Sequence, residues 1–436
     1  MQSEEKKYIL SLDIGTTNIR AHVYNKDARV IGQDQDKIKL LRPRPGWTEI
    51  DEEVLFEQIK TVVKNAIKSA NIKPQNVSCL GICVLRNTFI TWDKKTGKPF
   101  HHFITWQDLR ASEHVAETNR SLKLRLKERI AENKVYFGTI ETWLLWKLTC
   151  AISIESGYFG DCEEEIFGAK IPITAVVADQ QGALFGQCCF SEGDCKLSMG
   201  TASCITVNTG SIVHASITGL YPLIGWKIGD KIVYLAEGII ADTGRVMEWL
   251  TNVGFLNSVS ESSDLAKSVS DTKGVFFVAA FSGLQAPIND DRASTMMIGI
   301  THESKKEHIV RSVLESLAYR VKKLYDCVKS ESPVPMKNTV VCDGGVCKND
   351  FLMELIADLI NCELDFPTNM EMSCLGSAFL AGLGAGIWKN TDELHSIRQQ
   401  RKILTPSNNK DEKIPIYEKW LEAVKRAKGW YDYVQI

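Results

Sequence analysis

Two stretches 185 residues apart repeat one pattern, LDIGTTNIRAHVYN from Leu12 and LSMGTASCITVNTG from Leu197. Each is a short apolar run, a Gly-Thr turn, then a second run that alternates apolar and polar residues. Glycine lets another group approach the backbone and threonine adds a hydroxyl, so such a turn can hold phosphate oxygens on its amides. One copy would be an ordinary hairpin. Two copies imply a duplicated domain with one phosphate loop per half, and phosphoryl transfer as the chemistry. The spacing divides the 436 residues into a first domain, 1–187, and a second, 188–436.

Charge and composition exclude several classes. Net charge is −2 and no basic stripe carries interleaved aromatics, which argues against a nucleic-acid partner. No apolar run approaches the length of a membrane span, and MQSEEKKYIL has no signal-peptide core. Thirteen cysteines lack paired C-x-x-C spacing, so buried free thiols are expected, with Cys188-Cys189 as the one adjacent pair. The expected setting is a reducing one, the cytoplasm.

Secondary structure reads as α/β in both halves. Tyr8–Leu12, Ile19–Tyr24 and Arg29–Ile31 form a strand meander, unlike the strand-then-helix start of a dinucleotide-binding unit. Asp51–Ala70 is an amphipathic helix with Leu55, Ile59, Val62, Val63, Ala66 and Ile67 on one face. Strands follow at Val77–Val84 and Thr88–Trp92, and helices at Ser112–Val135 and Gly138–Leu148. Residues 150–170 lack periodicity and read as an exposed connector before the strand Ile171–Ala178. The second half reads as a hairpin at 197–208, a helix at Gly244–Leu250, and a long helix at His308–Val328. The strand Thr339–Cys342, a Gly-Gly turn and the helix Asp350–Leu359 complete it.

Several residues could carry chemistry. Asp13, at a strand end before the first Gly-Thr, could hold Mg²⁺ opposite phosphates or simply form the turn. Arg20 could neutralise a phosphate or be a solvated strand residue. Asp179 ends an apolar strand, where α/β proteins open their ligand crevice, and suits a general base or a helix N-cap. Gln180 and Gln181 add amides beside it. Trp106 to Arg110, WQDLR, mixes an apolar face with polar groups, as polyol pockets do, and in isolation better suits a core Trp with a rim ion pair. Arg86 is open to the same two readings. Asp343-Gly344-Gly345 precedes a helix and could admit a flat ring or a phosphate.

The ordered set of motifs resembles the FGGY carbohydrate kinases, and among them the glycerol kinases. The matching stretches are SLDIGTTNIRA, PGWTEID, TWDKKTGKP, TWQDLR, FGTIETWLLWKLT, IPITAVVADQQGALFGQ, MGTASC, NTG, FSGLQAP and DGGVCKNDFLM. They span almost the whole chain in order. The resemblance implies two actin/hexokinase-like (ribonuclease H-like) domains around a central cleft, and ATP-dependent phosphorylation of glycerol at its 3-hydroxyl. By the same resemblance Asp179 is the base, with Arg86, Trp106 and Gln180 in the polyol pocket. Thr16, Thr17, Asn18 and Arg20 match the first phosphate loop and Thr201 the second. Gly244, Gly345 and Asn349 match nucleotide contacts, and Asp13 the carboxylate near Mg²⁺. Homo-oligomerisation is compatible with the resemblance.

Departures are part of the same reading. Asn87 stands where the family pattern has Glu, Ala202 where it has Gly, Cys204 where it has an aromatic, and Glu248 where it has Gln. Two family segments are missing, one near Leu126–Ile130 and one after Thr149. These leave open a kinase for another polyol or ketose, or a non-catalytic nucleotide-binding protein.

Overall fold

A computed structural model describes residues 7–93, 95–108, 110, 135–149, 158–214, 216–368, 371–407 and 410–431. The expected helix at Ser112–Val135 and the first half of the 150–170 connector fall almost entirely outside them. The chain divides into two compact units.

The first unit comprises Met1–Cys188 and Met372–Arg398. Its main sheet is built from β1 (Tyr8–Ile14), β2 (Asn18–Tyr24) and β3 (Val30–Lys37). The short strands β4 (Leu40–Leu41) and β5 (Glu49–Ile50) precede α1 (Glu52–Ser69). Then come β6 (Val77–Val84), β7 (Phe89–Asp93), β8 (Phe103–Ile104), β9 (Val135–Thr139), α2 (Ile140–Thr149), α3 (Glu164–Phe167), β10 (Ile173–Ala178) and α4 (Asp179–Gly186). The main sheet runs β10-β6-β1-β2-β3, and a second sheet runs β4-β5-β8-β7-β9. In the main sheet β10, β6 and β1 are parallel, while β1, β2 and β3 form the antiparallel meander that the alternation predicts.

Helix α1 shows how directly pattern becomes packing. Asp51 caps it by accepting from the amides of Glu53 and Val54. All six residues of the expected apolar face are buried. Gln58 is buried beside them because its amide donates to Asp36 Oδ2 at 2.6 Å and to the Lys37 carbonyl at 2.8 Å.

The described part of the expected exposed connector is exposed at Tyr158, Asp161, Glu164, Glu165, Gly168 and Lys170 but anchored between them. Phe159 N and Cys162 N donate to Ile173 and Ile171 carbonyls at 2.9 Å each, and Cys162 and Phe167 enter the core. The pairing joins irregular backbone to the following strand and leaves no periodic trace in the sequence.

Beside the α1 cap, His102 Nδ1 lies 2.8 Å from Glu52 Oε2. The hydrogen bond to Glu52 raises the imidazole pKa above 6.5. Stability from this pair is complete below the unfolded value of 6.5 and is lost as pH rises through the higher folded value. The imidazole side chain is 39% exposed, so the contribution is below about 1 kcal/mol. Urea denaturation at pH 6 and pH 8 should show this step in the parent and a flatter profile in Glu52→Gln.

The second unit comprises Cys189–Glu371 and Gln399–Gln435. Its strands are β11 (Cys195–Met199), β12 (Ser203–Gly210), β13 (Tyr221–Ile228) and β14 (Lys231–Ile240). Next are α5 (Gly244–Asn252), α6 (Ser262–Lys267), β15 (Phe276–Val278), β16 (Met296–Ile298), α7 (Lys306–Glu331), β17 (Thr339–Asp343), α8 (Asp350–Ile360) and β18 (Glu363–Pro367). From Met372 the chain returns to the first unit as α9 (Met372–Gly384) and α10 (Thr391–Ile397). It then supplies β19 (Gln400–Leu404) and α11 (Lys410–Ala427) to the second. The sequence division placed 188–436 in one domain, whereas Met372–Arg398 packs with residues 1–188. The physical reason is α9, whose small-residue face needs the equally small face of α4 to pack on.

The sheet of the second unit runs β13-β14-β12-β11-β17-β18-β19. Here β11 pairs antiparallel with β12 and parallel with β17, the relations β1 has with β2 and β6. The duplication read from the two hairpins is therefore a duplication of topology. No helix among the described residues is long and apolar enough to cross a membrane, and the described cysteines are free and buried.

Candidate active site

In the first unit, register brings the candidate residues together. Asp13 on β1 pairs with Cys83 on β6, and Cys83 pairs with Val177 on β10. The three parallel strands therefore end level. Asp179 follows β10 by one residue and Arg86 follows β6 by two, so both lie at this edge with Asp13.

Asp179 is the first residue of α4, and Ala178 holds the N-cap position. The N-cap reading of Asp179 is thus set aside. Its Oδ1 accepts from Gln180 N at 2.7 Å and lies 3.7 Å from Arg86 Nε. Both side chains are about one-fifth exposed, at 22% and 20%. A carboxylate so placed keeps access to a ligand while facing a guanidinium. Ser373 Oγ on α9 donates to the Asp179 carbonyl at 3.3 Å. This support comes from 194 residues away, and no local pattern could have announced it.

Between the carboxylates sits Cys83. Burial, then the charges of Asp13 and Asp179, push its thiol pKa well above 9.0, so it stays protonated. Gly182 of α4 packs on it, since a Cβ there would lie 3.3 Å from Cys83 Sγ.

The first Gly-Thr turn is closed by Gly15 N donating to Asn18 O at 2.9 Å, which leaves Thr16 half-buried and Thr17 exposed at its tip. Trp106 Nε1 donates to Thr16 Oγ1 at 3.1 Å, joining a predicted pocket residue to a predicted loop residue. Arg20 is not a solvated strand residue. Its Nη1 meets Asp13 Oδ2 at 3.2 Å, and its side chain is 19% exposed. Arg20 therefore balances the buried Asp13 rather than standing ready for a phosphate alone.

Asp108 and Arg110 of the same motif are architectural. Arg110 binds Asp108 Oδ2 at 2.6 Å and Glu49 Oε1 at 2.7 Å, and stacks over Trp47 at 3.7 Å. Asp108 Oδ2 also accepts from Thr48 N at 2.7 Å. Asn87 is exposed at a φ of 54°, a left-handed conformation that Asn tolerates well.

In the second unit, Gly200 N donates to Ala202 O at 2.9 Å, and Thr201 is half-buried at the turn. Gly244 N donates to Thr201 O at 2.9 Å, and a Cβ on Gly244 would lie 2.8 Å from Gly200 O. Gly244 is thus required by the hairpin itself. Among the described residues, nothing lies within 4 Å of a Cβ built on Gly345. Asn349 is committed elsewhere: its Oδ1 caps α8 by accepting from Leu352 N at 3.0 Å, and its Nδ2 donates to Ser262 Oγ at 2.9 Å. Its predicted nucleotide contact would have to share that amide.

The second hairpin has Ser198 where the first has Asp13. On the neighbouring parallel strand Asp343 pairs directly with Ser198, as Cys83 pairs with Asp13. The second unit carries its carboxylate one strand across, which alignment of the two hairpins alone could not reveal.

Residues 8–146 match the N-terminal domain, and residues 195–385 the C-terminal domain, of the FGGY family of carbohydrate kinases. Glycerol kinase 5 of Danio rerio is 39% identical over 99% of this chain and 98% of its own length. Glycerol kinase 2 of Thermotoga maritima is 35% identical over 97% of this chain and 99% of its own length. The Danio rerio match runs over 520 positions against 436 residues here, so that relative carries internal stretches without a counterpart. The gap expected near Leu126–Ile130 lies outside the described residues, as does the start of the one expected after Thr149. A crystal structure of Plasmodium falciparum glycerol kinase with ADP has a TM-score of 0.85 at 27% identity, covering 97% of this chain and 98% of that one. A gluconate kinase of Lactobacillus acidophilus, at 16% identity and a TM-score of 0.81, shares the fold. With both halves matched in order and the strand-end carboxylates in place, the chain belongs to the FGGY family of carbohydrate kinases.

Proposed function

We propose that the protein transfers the γ-phosphoryl group of ATP to the 3-hydroxyl of glycerol, giving sn-glycerol 3-phosphate and ADP. The observation that carries this is the convergence of Asp13, Arg86 and Asp179 at the level ends of three parallel strands. The glycerol kinases among its relatives narrow the substrate class.

The Asp179 carboxylate accepts the hydroxyl proton as that oxygen bonds to the γ-phosphorus and the bond to the β-phosphate oxygen breaks. Arg86 beside Asp179 offers donors to substrate hydroxyls. Trp106 supplies an apolar wall for the carbon chain, oriented by its bond to Thr16. In the first unit, the turn amides around Thr16, Thr17 and Asn18 present phosphate donors. In the second, Thr201 offers a hydroxyl, and the unobstructed backbone at Gly345 suits the nucleotide.

The residues fit a hydrated Mg²⁺. Asp13 is a buried all-oxygen ligand with one oxygen engaged by Arg20, which favours contact through water over direct ligation. Bound there, Mg²⁺ would supply charge neutralisation for the β- and γ-phosphates.

Asn87 gives the second reading, in which a polyol or ketose other than glycerol is preferred. At this exposed position a neutral amide replaces the acid of the family pattern. ADP release from ATP across glycerol, other polyols and ketoses tests both. Glycerol should give the highest kcat/KM, and equal or better turnover of a ketose would overturn the glycerol assignment.

A further inference from the structure

Lys196 is fully buried in the second unit, and the phosphoryl-transfer scheme above does not use it. Its ammonium donates to the Ser198 hydroxyl, and that hydroxyl donates to Asp343 Oδ1. The geometry follows from the strands. Lys196 and Ser198 are two residues apart on β11 and share a face, and Asp343 stands opposite Ser198 on β17. Asp343 Oδ2 is buried with no hydrogen-bond partner among the described residues. Taking an ammonium and a carboxylate out of water costs several kcal/mol each, and here the serine hydroxyl links the two groups inside the sheet.

Ser198 and Asp343 each lead straight into a turn. Ser198 precedes Met199-Gly200-Thr201, and Asp343 precedes Gly344-Gly345. The turns also touch through backbone. Gly344 has a φ of 94°, and a Cβ there would lie 2.4 Å from Met199 O. Asp343 O accepts from Cys347 Sγ at 2.9 Å, which fixes the far side of the Gly-Gly turn.

We propose that Lys196 is a positioning residue for nucleotide binding, setting the Gly200–Thr201 turn against the Gly344–Gly345 turn through Ser198 and Asp343. Its charge also cancels that of Asp343, which would otherwise repel phosphate oxygens from within the sheet. The inference rests on the assignment of these two turns to the nucleotide.

Calorimetric ADP binding and steady-state kinetics on the full chain test it. Lys196→Met should weaken ADP binding and raise the ATP KM tenfold or more, with the glycerol KM unchanged within twofold. Removing the second charge in Lys196→Met/Asp343→Asn should recover most of the loss, which a purely structural role would not produce. Ser198→Ala removes the bridge without changing charge, and should weaken ADP severalfold even if Lys196→Met does not fold. ADP affinities within twofold of the parent in Ser198→Ala and in any folded Lys196→Met would overturn the proposal. A parent protein that binds no ADP would instead remove the assignment of the turns, and the relay with it.

Discussion

Asp179→Asn should lower kcat by about a thousandfold or more, in line with the loss of a general base. The substitution is nearly isosteric. An amide oxygen can still accept from Gln180 N, as Oδ1 does at 2.7 Å, so the first turn of α4 keeps its geometry. What disappears is the ability to take a proton and the negative charge facing Arg86 Nε at 3.7 Å. Calorimetry should find ADP binding within about twofold of the parent, because the phosphate-binding groups lie on other segments of chain. ADP release measured with saturating glycerol decides the matter. A near-normal rate in the Asn variant would remove Asp179 from the chemistry.

Gly376→Ala should cost about 3 kcal/mol or more, a lowering of the midpoint by roughly 6 °C or more. Helix α9 crosses α4 at backbone contact. A Cβ on Gly376 would fall 1.8 Å from the Gly182 carbonyl oxygen and 2.6 Å from its carbon. The same crossing brings Gly186 against the Met372 carbonyl, at 2.4 Å from a Cβ there. No flexible side chain is available to yield, so one helix must move. Movement of either reaches the chemistry, because Asp179 begins α4 and Ser373 on α9 supports its carbonyl. Thermal unfolding and kcat should therefore fall together. A variant destabilised by less than about 1 kcal/mol with full activity would show that the crossing is looser than the backbone distances indicate.

Much of the fold was legible because its signals are local. The six-residue apolar face of α1, its Asp51 start, the meander and the doubled Gly-Thr hairpins all express periods of two or 3.6 residues. The site was legible in part for the same reason. Asp13 and Asp179 stand at strand ends, which a sequence reports. Their proximity depends on β6 lying between β1 and β10, which it does not. Arg20 shows the limit: a residue that reads as a solvated strand arginine becomes the partner of Asp13 because antiparallel pairing sets it directly across.

The family, the α/β class, the repeat of one strand-turn-strand unit and the identity of the strand-end carboxylates are all legible in the residues alone. Each is written in residues adjacent along the chain. Tertiary structure alone decided that Met372–Arg398 belongs with the first unit, that Ser373 supports Asp179, and that Asp343 supplies the carboxylate absent from the second hairpin. These depend on which strand or helix lies beside which. Such contacts are selected by shape and burial over separations of more than a hundred residues, where sequence periodicity carries no information.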